Sequence, residues 1–293
     1  MDESSHTDMN LREKPAPEAD SFAVVGNPVA HSLSPDIHRE FARQTAQSIT
    51  YSRWLLEKDS FASDVKRFFA QGGGGLNVTA PYKFDAFQLC DKLSDRALNA
   101  RAVNTLYQKD GLLCGDNTDG SGLIWDLQRL NWQVEGREIL VVGAGGAVSG
   151  VFQSLLDCAP SGITVINRTI ERAQELCQRM APSDKVQSCQ LVAGDLSFVG
   201  RGFDLVINGT SAGVEGDMPA LPAALVDNAN CYDMFYSATP TVFLRWAAKS
   251  GARSISDGLG MLVGQAAASF ETWRGVRPDA SVVLSSLRQQ IQS

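Results

Sequence analysis

Residues 139 to 147 read Ile-Leu-Val-Val-Gly-Ala-Gly-Gly-Ala, a fully apolar strand running straight into a glycine-rich turn. Such a glycine string is weak by itself, but a strand before it and a helical stretch after it supply the setting of a phosphate-binding βαβ unit. Gly143 permits the tight turn and Gly145 lets backbone approach a pyrophosphate. The N-terminus of the next helix offers unpaired N–H groups and roughly half a positive charge. Gly143, Ala144, Gly145, Gly146 and Ala147 are therefore the candidate cradle. Taken alone, the string also suits a glycine turn with no ligand. Its third small position is filled by Val148, larger than the Gly or Ala that close helix–strand packing favours.

Working downstream, short apolar cores recur at 163–166, 205–207 and 231–234, separated by helical stretches such as 172–179. Short, fully apolar strands joined by helices imply a parallel sheet covered on both faces. After the second of these strands stand Asn167, Arg168 and Thr169, with Arg172 one helical step beyond. An NAD site places a carboxylate here for the ribose hydroxyls, whereas a 2′-phosphate would be repelled by it and requires a cation. The expected cofactor is NADP. The competing reading, two ordinary surface arginines, loses weight because the glycine turn lies upstream.

Upstream, residues 21–106 also alternate strand and helix: a strand at 22–25, a helix at 36–44, a strand at 51–56 and helical spacing of Phe61, Val65, Phe68 and Phe69 stopped by the run 72–75. Lys109-Asp110-Gly111 reads as a hairpin turn. Helices at 259–273 and 281–291 lie far beyond the second sheet's strands and could return to the first domain. The fold class is α/β with two domains, the second a Rossmann-type dinucleotide-binding domain with a parallel sheet.

Bulk properties bound the function. With 293 residues, 44% of them hydrophobic, the chain has enough to build two cores. A net charge of −7 argues against nucleic acid as the main partner, and no window has the roughly 18 apolar residues of a membrane span. Six cysteines without a C-x-x-C pair fit reduced thiols in a cytoplasm. Three scattered histidines give no ligand set, so no metal is expected. Residues 1–20, polar and rich in Pro, Glu and Asp, read as a disordered tail rather than a leader peptide.

Four clusters of small polar residues sit at element ends in the first domain: His31-Ser32-Leu33-Ser34-Pro35, Asn77-Val78-Thr79-Ala80-Pro81-Tyr82-Lys83, Ala102-Val103-Asn104-Thr105 and Gly115-Asp116-Asn117-Thr118-Asp119-Gly120. Each has a plain explanation: Ser34 as an N-cap before Pro35, Asn104 satisfying a turn, Asp119 capping a helix. Lys83 resists one, because an ammonium at a helix N-terminus opposes the dipole unless it has another task.

Taken in order, these clusters resemble the shikimate dehydrogenase family. The resemblance runs from about Phe22 to Trp273 and includes Gly26-Asn27-Pro28, the glycine turn, Cys231 to Tyr236, and Asp257-Gly258-Leu259-Gly260-Met261-Leu262-Val263-Gly264-Gln265. It implies NADP-dependent reduction of 3-dehydroshikimate to shikimate in aromatic amino-acid biosynthesis. Lys83 and Asp119 would be the catalytic pair; Ser32, Ser34, Thr79, Asn104, Tyr236 and Gln265 would hold the substrate. Met234, Gly258 and Met261 would join the cofactor set. It also implies a discontinuous substrate domain, 21–119 with 257–293, around a cofactor domain at 120–256, acting as monomer or homodimer.

The residue types suit that chemistry. Hydride transfer at a secondary alcohol needs a proton moved at the same oxygen, and a Lys beside an Asp can share that role. Which of them formally carries the proton is open at this stage. Two departures from the family pattern stand out. Val148 and Ser149 replace a small residue and an Arg after the glycine turn, and Gly209 in Asn208-Gly209-Thr210-Ser211 replaces a more usual Ala. A quinate-using enzyme with relaxed cofactor choice and a non-catalytic metabolite-binding module of the same fold are the alternatives.

Overall fold

The computed structural model describes residues 20–181, 189–200, 202–210 and 220–292; most of the expected tail lies outside them. Packing divides the described chain into two units, 20–118 with 266–283, and 119–265 with the residues from 284 onward.

The first unit is built on a six-stranded mixed sheet. Its strands are β1 (Asp20–Gly26), β2 (Ile49–Leu55), β3 (Gly75–Val78), β4 (Lys92–Leu93), β5 (Thr105–Lys109) and β6 (Leu112–Asp116), in the order β2-β1-β3-β5-β6-β4. β1 pairs parallel with β2 and β3, whereas β5 runs antiparallel to both β3 and β6. The hairpin joining β5 to β6 tightens to the two residues Asp110 and Gly111, with φ of 54° and 78°, the positive-φ pair such a turn requires. The helices are α1 (Ser34–Gln44), α2 (Phe61–Ala70), α3 (Lys83–Leu89) and α4 (Asp95–Ala100). Phe61, Val65, Phe68 and Phe69 form the buried stripe of α2 and meet Val25, Leu76, Val78 and Tyr82 in one core.

The second unit is a six-stranded, wholly parallel sheet. It contains α5 (Asp119–Arg129), β7 (Glu138–Val142), α6 (Gly146–Asp157), β8 (Gly162–Ile166), α7 (Ile170–Met180), β9 (Gln190–Gly194), β10 (Leu205–Asn208), β11 (Asn230–Asp233), α8 (Val242–Lys249) and β12 (Ser254–Asp257). The strand order is β12-β11-β10-β7-β8-β9, the doubly wound order that reverses between β7 and β10. The period of two along β7 explains its unbroken apolar sequence. Ile139 and Val141 enter the core on one face, while Leu140 and Val142 enter the core on the other.

Two further helices close the chain, α9 (Leu259–Arg274) and α10 (Ala280–Gln292). The stretch 257–293, expected as a whole with the first domain, is divided: 266–283 packs with the first unit and its flanks pack with the second. The physical ties are visible. Arg288 of α10 grips both carboxylate oxygens of Asp257 at 2.7 and 2.5 Å, and Gly260 lies against the buried Asp126 of α5. Edge strands β9 and β12 escaped the sequence reading because their residues are polar or half-exposed.

All six cysteines are free thiols, four buried and two half-buried. Burial pushes Cys90 and Cys231 up to about 12 and Cys177 up to about 11. Among the described residues no helix is long and apolar enough to cross a membrane, and no group of His, Cys, Asp and Glu is placed to hold a metal ion.

Candidate active site

In the first unit the candidate substrate residues stand after β1 and β3, just before β5, and at the helix starts beside them. α1 begins at Ser34 itself, with Leu33 in the capping position and no side-chain cap, so the expected cap role is not the one Ser34 plays. Its N–H donates to Ser32 Oγ (3.3 Å), and its own hydroxyl accepts from Ser32 Oγ (3.1 Å). The Ser32 carbonyl accepts from Arg53 Nε at 2.8 Å, which fixes the loop carrying both hydroxyls. Thr79 follows β3 and is held by its N–H to the Val25 carbonyl (2.9 Å). Lys83 opens α3, and its carbonyl accepts from the Val103 N–H at 2.9 Å, next to Asn104.

Behind these residues lies a buried hydrogen-bonded cluster. Tyr51 Oη donates to Asn77 Oδ1 at 2.7 Å. Asn77 Nδ2 donates to the Asn104 carbonyl (3.2 Å) and to Ser269 Oγ (3.0 Å). Asn104 Nδ2 donates to Thr118 Oγ1 (2.9 Å), and the Thr118 N–H returns a bond to Asn104 Oδ1 (2.9 Å). Ser269 Oγ also lies 2.8 Å from Thr105 Oγ1 and 3.1 Å from Thr118 Oγ1. Satisfied buried networks of this kind fix side chains in single orientations. Burial keeps the Tyr51 phenol well above its usual range, with the Ser34 side chain working the other way, so Tyr51 acts as a neutral donor.

Asp116, at the end of β6, positions the segment leading to Asp119. Burial alone would raise its carboxyl, but Arg96 and Ser94 outweigh that and hold it below the usual carboxylate range. It also accepts the Asn117 N–H at 2.7 Å, and its carbonyl accepts from Asn104 N–H at 3.0 Å.

In the second unit the candidate cofactor residues gather at the C-terminal edge of the parallel sheet. Gly143 follows β7 with φ of +110°, a conformation side chains disfavour, and its N–H donates to the Ile166 carbonyl of β8 at 2.7 Å. Gly145 caps α6 without any side-chain bond, and a methyl group at that position would meet no atom of the described residues beyond its chain neighbours within 4 Å. The bend at Gly145 thus opens on space clear of described protein atoms, which suits close approach by a diphosphate to the start of α6. Asn167, Arg168 and Thr169 follow β8, with Asn167 Nδ2 donating to the Thr169 carbonyl (2.8 Å) and the side chains of Arg168 and Arg172 exposed. Ser149, buried in the first turns of α6, accepts from Arg179 Nη2 of α7 at 3.0 Å.

Met234 and Tyr236 follow β11. Their loop is tied by Asp233, which accepts from Asn208 Nδ2 (3.1 Å), Thr241 Oγ1 (2.5 Å) and the Phe235 N–H (3.1 Å); burial raises this carboxyl. Gly258, just past β12, lies against the Met234 carbonyl. Met261 and Gln265 belong to the first two turns of α9, Met261 in the core and Gln265 Nε2 donating to the Leu262 carbonyl (2.9 Å). Asp119 is the first residue of α5 and is buried.

The candidate substrate set is therefore divided. Ser32, Ser34, Thr79, Lys83 and Asn104 belong to the first unit; Tyr236, Gln265 and Asp119 belong to the second. Sequence reasoning passed over Tyr51, Asn77, Thr118 and Ser269. Asn77 and Thr118 lay inside quoted motifs. Ser269 was traceable, since it falls four residues after Gln265 and hence on the same face of α9. Ser211, read together with Asn208 to Thr210, lies outside the described residues.

A doubly wound parallel sheet with an uncapped glycine bend at its reversal point, and arginines where a ribose-binding carboxylate would stand, defines a dinucleotide-binding α/β protein of the NADP type. Family models agree with both units. A shikimate dehydrogenase substrate-binding domain matches residues 24–106, a shikimate/quinate 5-dehydrogenase model matches 127–214, and a shikimate 5-dehydrogenase C-terminal domain matches 258–288. The shikimate dehydrogenase (NADP(+)) of Saccharophagus degradans is 49% identical over 277 residues, spanning 92% of this chain and 99% of that one. Among solved structures, an Ael1 enzyme from Pseudomonas putida superposes with a TM-score of 0.85 at 39% identity, covering 92% of this chain and 98% of its own. The Thermus thermophilus shikimate 5-dehydrogenase in complex with NADP(H) and shikimate superposes with a TM-score of 0.80 at 31% identity, covering 92% and 99%. The chain belongs to the shikimate dehydrogenase family.

Proposed function

We propose that this chain catalyses the reversible NADPH-dependent reduction of 3-dehydroshikimate to shikimate, the shikimate-pathway step of aromatic amino-acid biosynthesis. The observation that carries the reading is the first unit's cluster of hydroxyls and amides, Ser32, Ser34, Thr79 and Asn104, backed by the Tyr51–Asn77–Ser269 network. A small polyhydroxylated ring with one carboxylate needs such donors and acceptors. A site built on them rejects analogues that leave a buried group unpaired, by about 10⁴-fold.

The residues present fit NADP. The N–H groups at the start of α6 would take the diphosphate, while Arg168, Arg172, Asn167 and Thr169 would take the 2′-phosphate end. When bound, the nicotinamide gives or accepts the hydride. Lys83 delivers a proton to the substrate oxygen in reduction, and its ammonium opposes the negative charge that builds there. Asp119 orients that ammonium and shares its proton. Supporting the pair, the Lys83 carbonyl is held by Val103, Asn104 is held by Thr118, and Asp119 follows Thr118 by one peptide bond. Tyr236 and Gln265 complete the substrate's hydrogen bonds, and Met234, Gly258 and Met261 line the nicotinamide end. The reading includes a cytoplasmic setting, a monomer or homodimer, and substrate binding in the unit spanning 20–118 and 266–283.

Following reduced nicotinamide spectrophotometrically, with shikimate and quinate each offered NADP and NAD, tests it. Turnover should be fastest with shikimate and NADP. Equal rates with quinate and NAD would favour the relaxed-specificity alternative, and no turnover with any pair would favour a binding module.

A further inference from the structure

We propose that Val148 is a positioning residue of the cofactor site: its side chain occupies the room left by the missing side chain of Gly209 and holds the Met234 thioether beside the glycine bend. The inference rests on the cofactor reading above for what Met234 faces.

Val148 is the third residue of α6 and is wholly buried. A methyl group at position 209 would stand 2.4 Å from Val148 Cγ2 and 3.1 Å from Met234 Sδ, so two side chains from different elements converge on one point beside β10. The same glycine touches the phosphate-binding bend, because a side chain at Gly143 would come within 3.3 Å of the Gly209 carbonyl carbon. Bend, glycine, valine and methionine thus lie side by side.

Within that group the two side chains differ in freedom. Val148 is β-branched and in a helix has one strongly preferred rotamer. Met234 has three rotatable bonds and shifts readily to fill gaps. Its backbone is pinned, with its N–H on the Asn208 carbonyl (2.9 Å) and its carbonyl against Gly258. The freedom left lies in the thioether, which packs against the core cluster that contains Val148; in the proposal the Val148 side chain is what keeps it from turning inward. Shortening Val148 opens a hole that the half-buried Met234 turns into, away from the nicotinamide end. A methyl group restored at position 209 would close that hole from the other side.

The test uses the full chain and direct NADPH titration by fluorescence, with steady-state kinetics alongside. Val148→Ala should weaken NADPH and raise the KM for NADP by about fivefold while leaving the KM for shikimate unchanged. Adding Gly209→Ala to that variant should bring both cofactor constants back to within about twofold of the parent, although Gly209→Ala alone should be the worst of the three. A merely structural role would restore the melting temperature in the double variant without moving the cofactor constants. Val148→Ala binding NADPH like the parent, or a double variant no better than Val148→Ala, would overturn the proposal. A parent chain that does not bind NADPH would overturn the cofactor reading itself, a separate outcome.

Discussion

Replacing His38 with Phe should flatten the acid side of the protein's stability curve. The imidazole is fully buried on α1, stacked on Tyr51 at 4.2 Å with the rings 6° apart, and flanked by Phe41, Phe270 and Trp273. Burial lowers its pKa from 6.5 to about 3, with the Asn77 side chain pulling weakly the other way. The sign follows from linkage. Below pH 6.5 the unfolded chain takes up a proton that the folded chain refuses, so stability present above pH 6.5 is lost as pH falls toward 3. The slope is about 1.4 kcal/mol per pH unit, which makes the loss roughly 2 kcal/mol between pH 6.5 and 5. For units of this size that is a drop of about 4–8 °C in melting temperature. Phe keeps the stack and the volume but cannot titrate. Asp116, held low, and Asp233, raised by burial, are present in both proteins, so the difference between the two curves isolates His38. Thermal melts from pH 5 to 7.5 decide the matter; identical slopes for the parent and His38→Phe would refute the reasoning.

Three other outcomes follow from the same contacts. Lys83→Ala should lower turnover by about 10²- to 10⁴-fold with little change in shikimate affinity, measured by steady-state rates and direct titration; near-normal turnover would remove Lys83 from proton transfer. Arg168→Ala should weaken NADP far more than NAD in competition titrations, since the guanidinium has a 2′-phosphate to meet in only one of them. Asn77→Ala removes the acceptor of the Tyr51 hydroxyl and the donor to Ser269 Oγ from a buried network. It should cost about 1–3 kcal/mol in denaturant titration and raise the KM for shikimate more than that for NADP.

The second unit was legible because its signals are local. A buried parallel strand must be apolar on both faces, a glycine bend must carry glycines, and a 2′-phosphate must meet cations, so each feature is written within a few consecutive residues. What escaped depends on contacts that the local pattern does not display. Ser34 reads as a cap until Ser32, two positions earlier, is seen to take its N–H. Ser269 sits in an apolar helical run, where only its spacing from Gln265 marks it, and its partners Asn77, Thr105 and Thr118 come from distant segments. The C-terminal boundary followed Asp257, which Arg288 ties to the second unit, a pairing that no local pattern announces. Val148 and Gly209 were read as two separate departures from the family pattern. In three dimensions they are one exchange of volume.

The six thiols carry a practical consequence. A group whose pKa lies near 12 has on the order of one thiolate in 10⁵ at neutral pH, and only the thiolate attacks an alkylating reagent. Cys90 and Cys231 should therefore resist iodoacetamide while the chain is folded, and labelling at Cys231, on β11, would clock the opening of the second unit while labelling at Cys90 clocks that of the first. Without any engineered probe, mass spectrometry of timed labelling would read the two halves of the chain as independent chemical stopwatches.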